Sequence, residues 1–486
     1  MGVSRFGRRR FLGLSAVVGA AAVAAPLLGE PFAAAATGVD YVGLKKALKG
    51  SLLRPGDAAY ATAARPFNAA LGVRKPAAIA QVAGAADVST CVRRVRGHGV
   101  TLAARGGGHS YAGFSTPDDG VVVDLSALKS ITVKGDGTAV IGAGARLIDV
   151  YAALDAHGRA LPAGSCPTVG IAGSTLGGGI GVVARAYGLT CDHLQGATVV
   201  TADGSVQTVD GNRDADLFWA LRGGGGGNGG IVTSFSFSTV PAPTVTVFSL
   251  HFPASRTARV LRSWSAWMDA APDQLSSLCA VTAASTPTNR VTGTWTGSAG
   301  ALSGHLASLI AAVGAAPTSR TTHTYGYLSA MKYFAGCLNE TVAVCKSAGR
   351  ESFRAASRML EHTMTASAAD KIVSLMHQQK GMVLLFDSLR GQVGRVGTAE
   401  TAFAHRGAHA SVQVYSGSAA SGPAVLAVQQ ALAPLVGTGA YVNYLNPGQR
   451  DWASAYYGAN LTRLRTVIRK YDPDRVFDFA QSVLRA

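Results

Sequence analysis

Two glycine-rich turns each present a nucleophile. Arg105-Gly106-Gly107-Gly108-His109-Ser110 ends on a histidine, and Gly164-Ser165-Cys166-Pro167-Thr168-Val169-Gly170 carries a cysteine. Glycine admits positive φ and lets backbone amides close on an anion such as a pyrophosphate. A neutral imidazole or a thiolate is a competent nucleophile toward an electron-poor ring. The pairing suggests a flavin held at two covalent points, with His109 and Cys166 as the nucleophiles; RGGGH taken alone also reads as plain loop chemistry. Cys166 differs from the other cysteines in its setting, because Gly-Ser before it and Pro-Thr after it place its sulfur on a turn. Cys337 and Cys345, in the irregular stretch GCLNETVAVC, are the candidate disulfide, while Cys91, Cys191 and Cys279 read as small buried apolar residues.

The elements that must position these turns follow a mixed α/β pattern from about Arg74 to Val240. Val88 to Arg96 is expected as a helix, with Asp87 as its N-cap and Gly97 as its stop. Thr101 to Ala104 is expected as a strand leading into the first turn, Val121 to Leu125 and Ala139 to Gly142 as strands, and Leu147 to His157 as a helix. Ala197 to Asp203 and Ser205 to Val209 read as a hairpin turning at Ala202-Asp203-Gly204. The run Gly223 to Gly230 lies between Leu217-Phe218-Trp219-Ala220-Leu221 and Ile231-Val232-Thr233, which predicts a packed turn and not a linker. Beyond His251 longer helices are expected among strands, at Thr257 to Ala271, Leu302 to Val313 and Ser367 to Gln379, with a last basic helix from Leu461 to Lys470.

Residues 1–36 are set apart from the fold. Arg8-Arg9-Arg10-Phe11-Leu12 opens an apolar run ending in Ala33-Ala34-Ala35-Ala36, the pattern of a twin-arginine export signal. The stretch from Leu14 to Leu28 is short for a membrane span and is broken by Ser15 and Pro26. Export of a folded chain suits a protein whose cofactor is installed before it leaves the cytoplasm, so a secreted location and the twin-arginine machinery as partner are expected. The remaining ~450 residues exceed what one core usually serves, so two domains are expected. The formal charge of +17 is scattered and is read as a solubility device, with no nucleic-acid partner. No metal is expected, since HExxH and paired Cys/His signatures are missing; His362, His377, His405 and His409 read as solvated or core histidines. Gly177-Gly178-Gly179-Ile180-Gly181 lacks the strand–turn–helix setting and ribose-binding acid of a nicotinamide site.

Taken together, RGGGHSYAGFS at 105–115, GSCPTVGIAGSTLGGGIGVVARAYGLTCDHL at 164–194, DADLFWALRGGGGGNGGIVTSF at 214–235, YVNYLNP at 441–447 and WASAYYGANLTRLRTVIRKYDPDRVF at 452–477 carry a family resemblance. From about residue 73 to 484 the chain resembles the berberine-bridge-enzyme-like FAD-linked oxidases of the vanillyl-alcohol-oxidase-type flavoproteins. The resemblance implies an α+β, two-domain FAD-binding oxidase fold. Residues 37–245 would form the FAD-binding domain, 246–439 a substrate domain with an antiparallel sheet and helices, and 440–486 a segment returning to the first domain.

By the same resemblance His109 bonds the flavin 8α carbon and Cys166 its carbon 6. Arg105, Gly106, Gly107, Gly108 and Ser110, with Gly170, Gly173, Gly177, Gly178, Gly179 and Gly181, would line the pyrophosphate and ribityl chain, and Ile231, Tyr457 and Asn460 would be further flavin neighbours. Tyr444 is the expected base, with Tyr441 beside it; Gln413 and Tyr111 are expected to wall the substrate site. Val169 stands where a small residue admits dioxygen, which implies an oxidase forming hydrogen peroxide; a dehydrogenase with another acceptor is the alternative, and a ligand-binding flavoprotein without turnover a remote one. A tyrosine ordinarily titrates near 10, so the base needs a cation or hydrogen bonds. Plant members often supply a lysine two residues before Gln413; here Ser411 stands there, which makes Arg390 the candidate. Ile180 replaces an aromatic common in plant sequences. The expected substrates are a small hydroxyl-bearing molecule, a sugar or a secondary metabolite, together with dioxygen.

Overall fold

A computed structural model describes residues 38–377, 379–417 and 422–486; the expected export signal at 1–36 lies outside them. The fold is α+β. A four-stranded sheet runs in the order Ser51–Leu53, Ala78–Gln81, Val121–Asp124, Leu102–Arg105, with the last three strands parallel. An antiparallel five-stranded sheet follows: Ile131–Val133, Thr138–Gly142, Ile231–Ser238, Leu194–Val200, Val206–Asp210. The expected hairpin is the last pair of that sheet. The helix expected at 88–96 runs Ala85–Val95, and Gly84, not Asp87, is its N-cap. The Asp87 carboxylate instead accepts the amides of Lys49, Gly50 and Ala83, which holds the neighbouring loops against the helix.

The second large unit is a seven-stranded antiparallel sheet in the order Ser319–Gly326, Thr244–His251, Thr288–Trp295, Leu275–Thr282, Met382–Ser388, Ala410–Ser416, Arg354–Leu360. Alternation along these strands gives the sheet two chemically different faces. Phe248, Leu250, Cys279, Val291, Leu384, Phe386, Val412 and Val414 point to one side and form a core with helices Thr257–Asp269, Ala299–Val313, Ala366–Met376 and Gly422–Val436. The opposite parity places Ser249, Arg290, Thr292, Leu278, Leu385, Asp387, Gln413 and Tyr415 along a cavity.

The boundary between the units is less simple than the sequence suggested. Val245, Val247, Tyr327, Ala330 and Met331 join the core of the N-terminal unit. The Tyr327 hydroxyl donates to the Leu161 carbonyl at 2.9 Å. The adjoining Cys337–Cys345 disulfide packs on Ile148. The C-terminal segment closes over the glycine turn at 223–230, where Val483 N donates to Asn228 Oδ1 at 3.1 Å and Tyr471 OH to Asp216 at 2.7 Å. Among the described residues no helix is long and apolar enough to cross a membrane, and no cluster of three metal-ligating side chains occurs.

Candidate active site

The first turn leaves the C-terminal end of Leu102–Arg105, where the parallel register sets Arg105 beside Asp124. Their side chains pair at 2.8 Å, both buried. Gly107 then meets Gly170 so closely that a Cβ on Gly107 would stand 2.3 Å from the Gly170 nitrogen. No other residue type permits that contact, so the two turns are fastened backbone to backbone. Beyond it the His109 ring stacks on Phe67 with centroids 3.7 Å apart.

The second turn is tight: Val169 N donates to Cys166 O at 3.4 Å with Pro167 at the second position, as its fixed φ favours. It brings the buried Thr168 hydroxyl near both nucleophiles. Thr168 Oγ1 lies 3.0 Å from His109 Nε2 and 3.7 Å from Cys166 Sγ.

The facing wall comes from the C-terminal segment. Tyr441 is buried, and its phenolic oxygen accepts from Gly179 N at 2.9 Å, Ile180 N at 3.2 Å and Asn443 Nδ2 at 2.9 Å. Burial outweighs these donors and pushes Tyr441 up to about 12. Its geometry is that of a clamp on the Gly179–Ile180 turn. Tyr444 is half-buried, packs edge-on against Tyr441 at 4.9 Å and lies flat on Tyr111 at 5.1 Å. Tyr111 OH in turn accepts from Gln413 Nε2 at 3.0 Å.

His109, Cys166, Tyr111, Tyr441 and Tyr444 line a cleft of about 260 Å³. It gathers Gly106, Gly107, Gly108, His109, Ser110, Tyr111, Cys166, Val169, Gly170, Gly173, Ile231, Tyr441, Tyr444 and Tyr457. Other expected residues fall outside its lining. The Arg105 guanidinium turns to Asp124 and Thr116. Gly177 abuts Asn443, Gly178 packs on Phe403 and Gly179 on Thr190, so these three support the wall from behind. Asn460 donates to the carbonyls of Thr398 and Thr401 and ties a loop. Gly181 and Gln413 line a second, smaller cavity of about 120 Å³ on the seven-stranded sheet. Arg390 is taken up by His409 at 2.6 Å and Asp269 at 3.6 Å, and does not line either cavity.

Asp387, Arg290 and Tyr333 line the smaller cavity and were not singled out from sequence. The available signal was Asp387 itself, the one charged residue in the apolar strand Met382–Ser388, at the same parity as Val383 and Leu385. It lies in register with Ser411 on the next strand. The buried Ser411 hydroxyl finds no hydrogen-bond partner.

The larger cleft is lined by glycine backbone, aromatic rings and the two nucleophiles. Phe114 and Phe479 on its wall stand 5.3 Å apart. A Cβ added at Gly173 would meet nothing within 4 Å, so the backbone there borders open space. His109 and Cys166 line the same cleft as Tyr441 and Tyr444. The cleft brings His109, Cys166, the first two glycine turns and Ile231 to one wall, the arrangement expected of a flavin-dependent oxidoreductase.

Comparison with known proteins narrows the class. Residues 76–210 match the family described as FAD binding domain, and residues 440–484 the one described as Berberine and berberine like. The FAD-linked oxidoreductase YgaK of Bacillus subtilis is 33% identical over 90% of this chain and 98% of its own length. BBE-like 1 of Physcomitrella patens superposes with a TM-score of 0.83 at 28% identity, over 90% of this chain and 98% of that one. Glucooligosaccharide oxidase from Acremonium strictum, described as carrying 6-S-cysteinyl, 8α-N1-histidyl FAD, superposes with a TM-score of 0.81 at 27% identity, over 89% and 97%. The chain belongs to the berberine-bridge-enzyme-like FAD-linked oxidoreductases.

Proposed function

We propose that this protein is an exported oxidase whose FAD is bonded to both His109 and Cys166, and that it oxidises a hydroxyl-bearing carbon of a sugar or a similarly hydroxylated metabolite. The observation that carries the reading is the junction of the two cavities. A pocket lined by Ser249, Ser276, Ser277, Thr292, Ser388 and Gln413 meets the cleft where Gln413 bonds Tyr111 and Tyr111 stacks on Tyr444. Among apolar neighbours such as Leu278, Phe334 and Leu385, the pocket also presents Arg290, Asp387 and Gln413, polar groups that a hydroxylated ligand can engage. The relationship to glucooligosaccharide oxidase supports the same substrate class and the double tether.

His109, Cys166 and the first two glycine turns would hold the flavin, which would supply a two-electron hydride acceptor that dioxygen can reoxidise to give hydrogen peroxide. The chain's own residues do the rest. Tyr444 takes the substrate hydroxyl proton in its phenolate form, which Arg390, held by His409 and Asp269, does not stabilise; Gln413 and Tyr111 orient the sugar; Tyr441 keeps the Gly179–Ile180 turn in place. Val169, on the cleft wall after Cys166, leaves room for dioxygen. Residues 37–245 with 440–486 form the flavin domain in this reading and 246–439 the substrate domain, the twin-arginine leader directing export.

The test is to mix the holoprotein anaerobically with neutral oligosaccharides and simple alcohols, follow the visible flavin band, then admit oxygen and titrate peroxide. Bleaching by a sugar followed by stoichiometric peroxide is expected. Bleaching that only an artificial acceptor reverses would make the protein a dehydrogenase, and no bleaching by any hydroxyl compound would contradict the assignment.

A further inference from the structure

We infer that Thr168 is a positioning residue for the attachment of the flavin, serving both covalent bonds through one hydroxyl. The inference rests on the double tether at His109 and Cys166 proposed above. Three observations carry it. Thr168 Oγ1 lies within hydrogen-bond distance of His109 Nε2, at 3.0 Å, and within sulfur contact of Cys166 Sγ, at 3.7 Å. Thr168 itself is 4% exposed, so bulk water does not compete for either contact. The Cys166–Val169 turn and the Phe67 stack fix both partners around it.

A hydroxyl has one proton to give and can accept another, which makes the two contacts complementary. In the proposed arrangement Nε2–H donates to Oγ1, and the Thr168 proton is directed at the sulfur. That arrangement selects the imidazole tautomer whose lone pair is on Nδ1, the nitrogen that the N1 linkage of glucooligosaccharide oxidase would use. It also gives the sulfur a polar partner that fixes its direction within the turn.

The chemistry balances in each step. Bonding Nδ1 to the 8α carbon breaks one C–H bond of the methyl group, and the imidazole loses its Nε2 proton through Thr168. Those two protons and the electron pair of the C–H bond leave the flavin reduced by two electrons. Dioxygen takes both electrons and both protons as hydrogen peroxide. Bonding Sγ to carbon 6 likewise breaks a C–H and an S–H bond, reduces the flavin by two electrons and is completed by a second dioxygen.

Thr168→Val keeps the shape and removes the hydroxyl, whereas Thr168→Ser keeps the hydroxyl. Each holoprotein is acid-precipitated, the pellet and supernatant flavin are measured, and the His109 and Cys166 peptides are weighed by mass spectrometry. Expected for Thr168→Val is at least a tenfold loss of both linkages among molecules that still bind FAD, with Thr168→Ser restoring both. Full double attachment in Thr168→Val would overturn the inference, as would loss of one linkage alone, or a loss that Thr168→Ser does not repair. Wild-type protein that releases all its flavin would instead refute the double tether itself.

Discussion

Arg105 and Tyr441 illustrate how a residue's neighbours decide between chemistry and support. Arg105 opens the first glycine turn and was expected at the pyrophosphate, yet it neutralises Asp124 inside the fold. A buried pair that loses one member leaves a stranded charge, at a cost of about 3–5 kcal/mol. Arg105→Met should therefore lower the melting temperature sharply while the molecules that fold keep a full complement of flavin; calorimetry and the ratio of flavin to protein absorbance read the two effects. Tyr441 and Tyr444 sit three residues apart with different roles. Tyr441 is held neutral by burial behind three donors, whereas Tyr444 faces Tyr111 at the meeting of the cavities. Tyr444→Phe should slow anaerobic flavin bleaching by substrate roughly 100- to 10,000-fold, the usual range for losing a general base, and leave the resting spectrum unchanged. Tyr441→Phe should instead disturb the spectrum and the Gly179–Ile180 turn.

At the level of elements, the C-terminal segment is fastened by a histidine that stays neutral. His405 Nε2 donates to the Tyr456 carbonyl at 3.1 Å, and burial pushes this imidazole down from its ordinary value near 6.5. Because the unfolded chain then binds the proton more readily than the native one, stability falls as pH drops below about 6.5 toward the folded value. Melting curves between pH 7.5 and pH 5 should show that loss, and His405→Gln, which keeps a donor and cannot charge, should flatten it. Much of this level was legible in the sequence. The strands around the first turn, the hairpin, the packed glycine turn and the helices from Thr257 onward all follow from periodicity and turn residues, with ends shifted by a few positions. What periodicity cannot carry is a long-range side-chain contact. Asp87 looked like a helix cap because only its own helix was visible, and its carboxylate went to loops at Lys49, Gly50 and Ala83. The second cavity was equally hidden, since Arg290, Asp387 and Gln413 reach one face only when their three strands assemble with Leu275–Thr282 between the first two. Asn460 and Arg390 were misread for the same reason, each having a partner far away in sequence.

Across the whole molecule, Arg185 joins the two units. It leaves the short helix Ala184–Tyr187 and donates to the carbonyls of Leu275 at 2.8 Å, Leu389 at 2.6 Å and Ala271 at 2.8 Å, all belonging to the second unit. Each buried carbonyl left without a donor costs about 1–3 kcal/mol. Arg185→Met should thus loosen the junction, seen as faster limited proteolysis and a raised KM for substrate with flavin still attached. That junction frames the cleft, and the proposed chemistry depends on how the cofactor is held there. The most direct measurement is to denature the purified protein in acid, separate pellet from supernatant, and weigh the flavin-bearing peptides. The account predicts that the yellow chromophore stays with the pellet, that His109→Ala and Cys166→Ala each retain it through the remaining bond, and that the double variant releases it. Flavin in the supernatant of the wild-type protein, or attached at a residue other than His109 or Cys166, would contradict it.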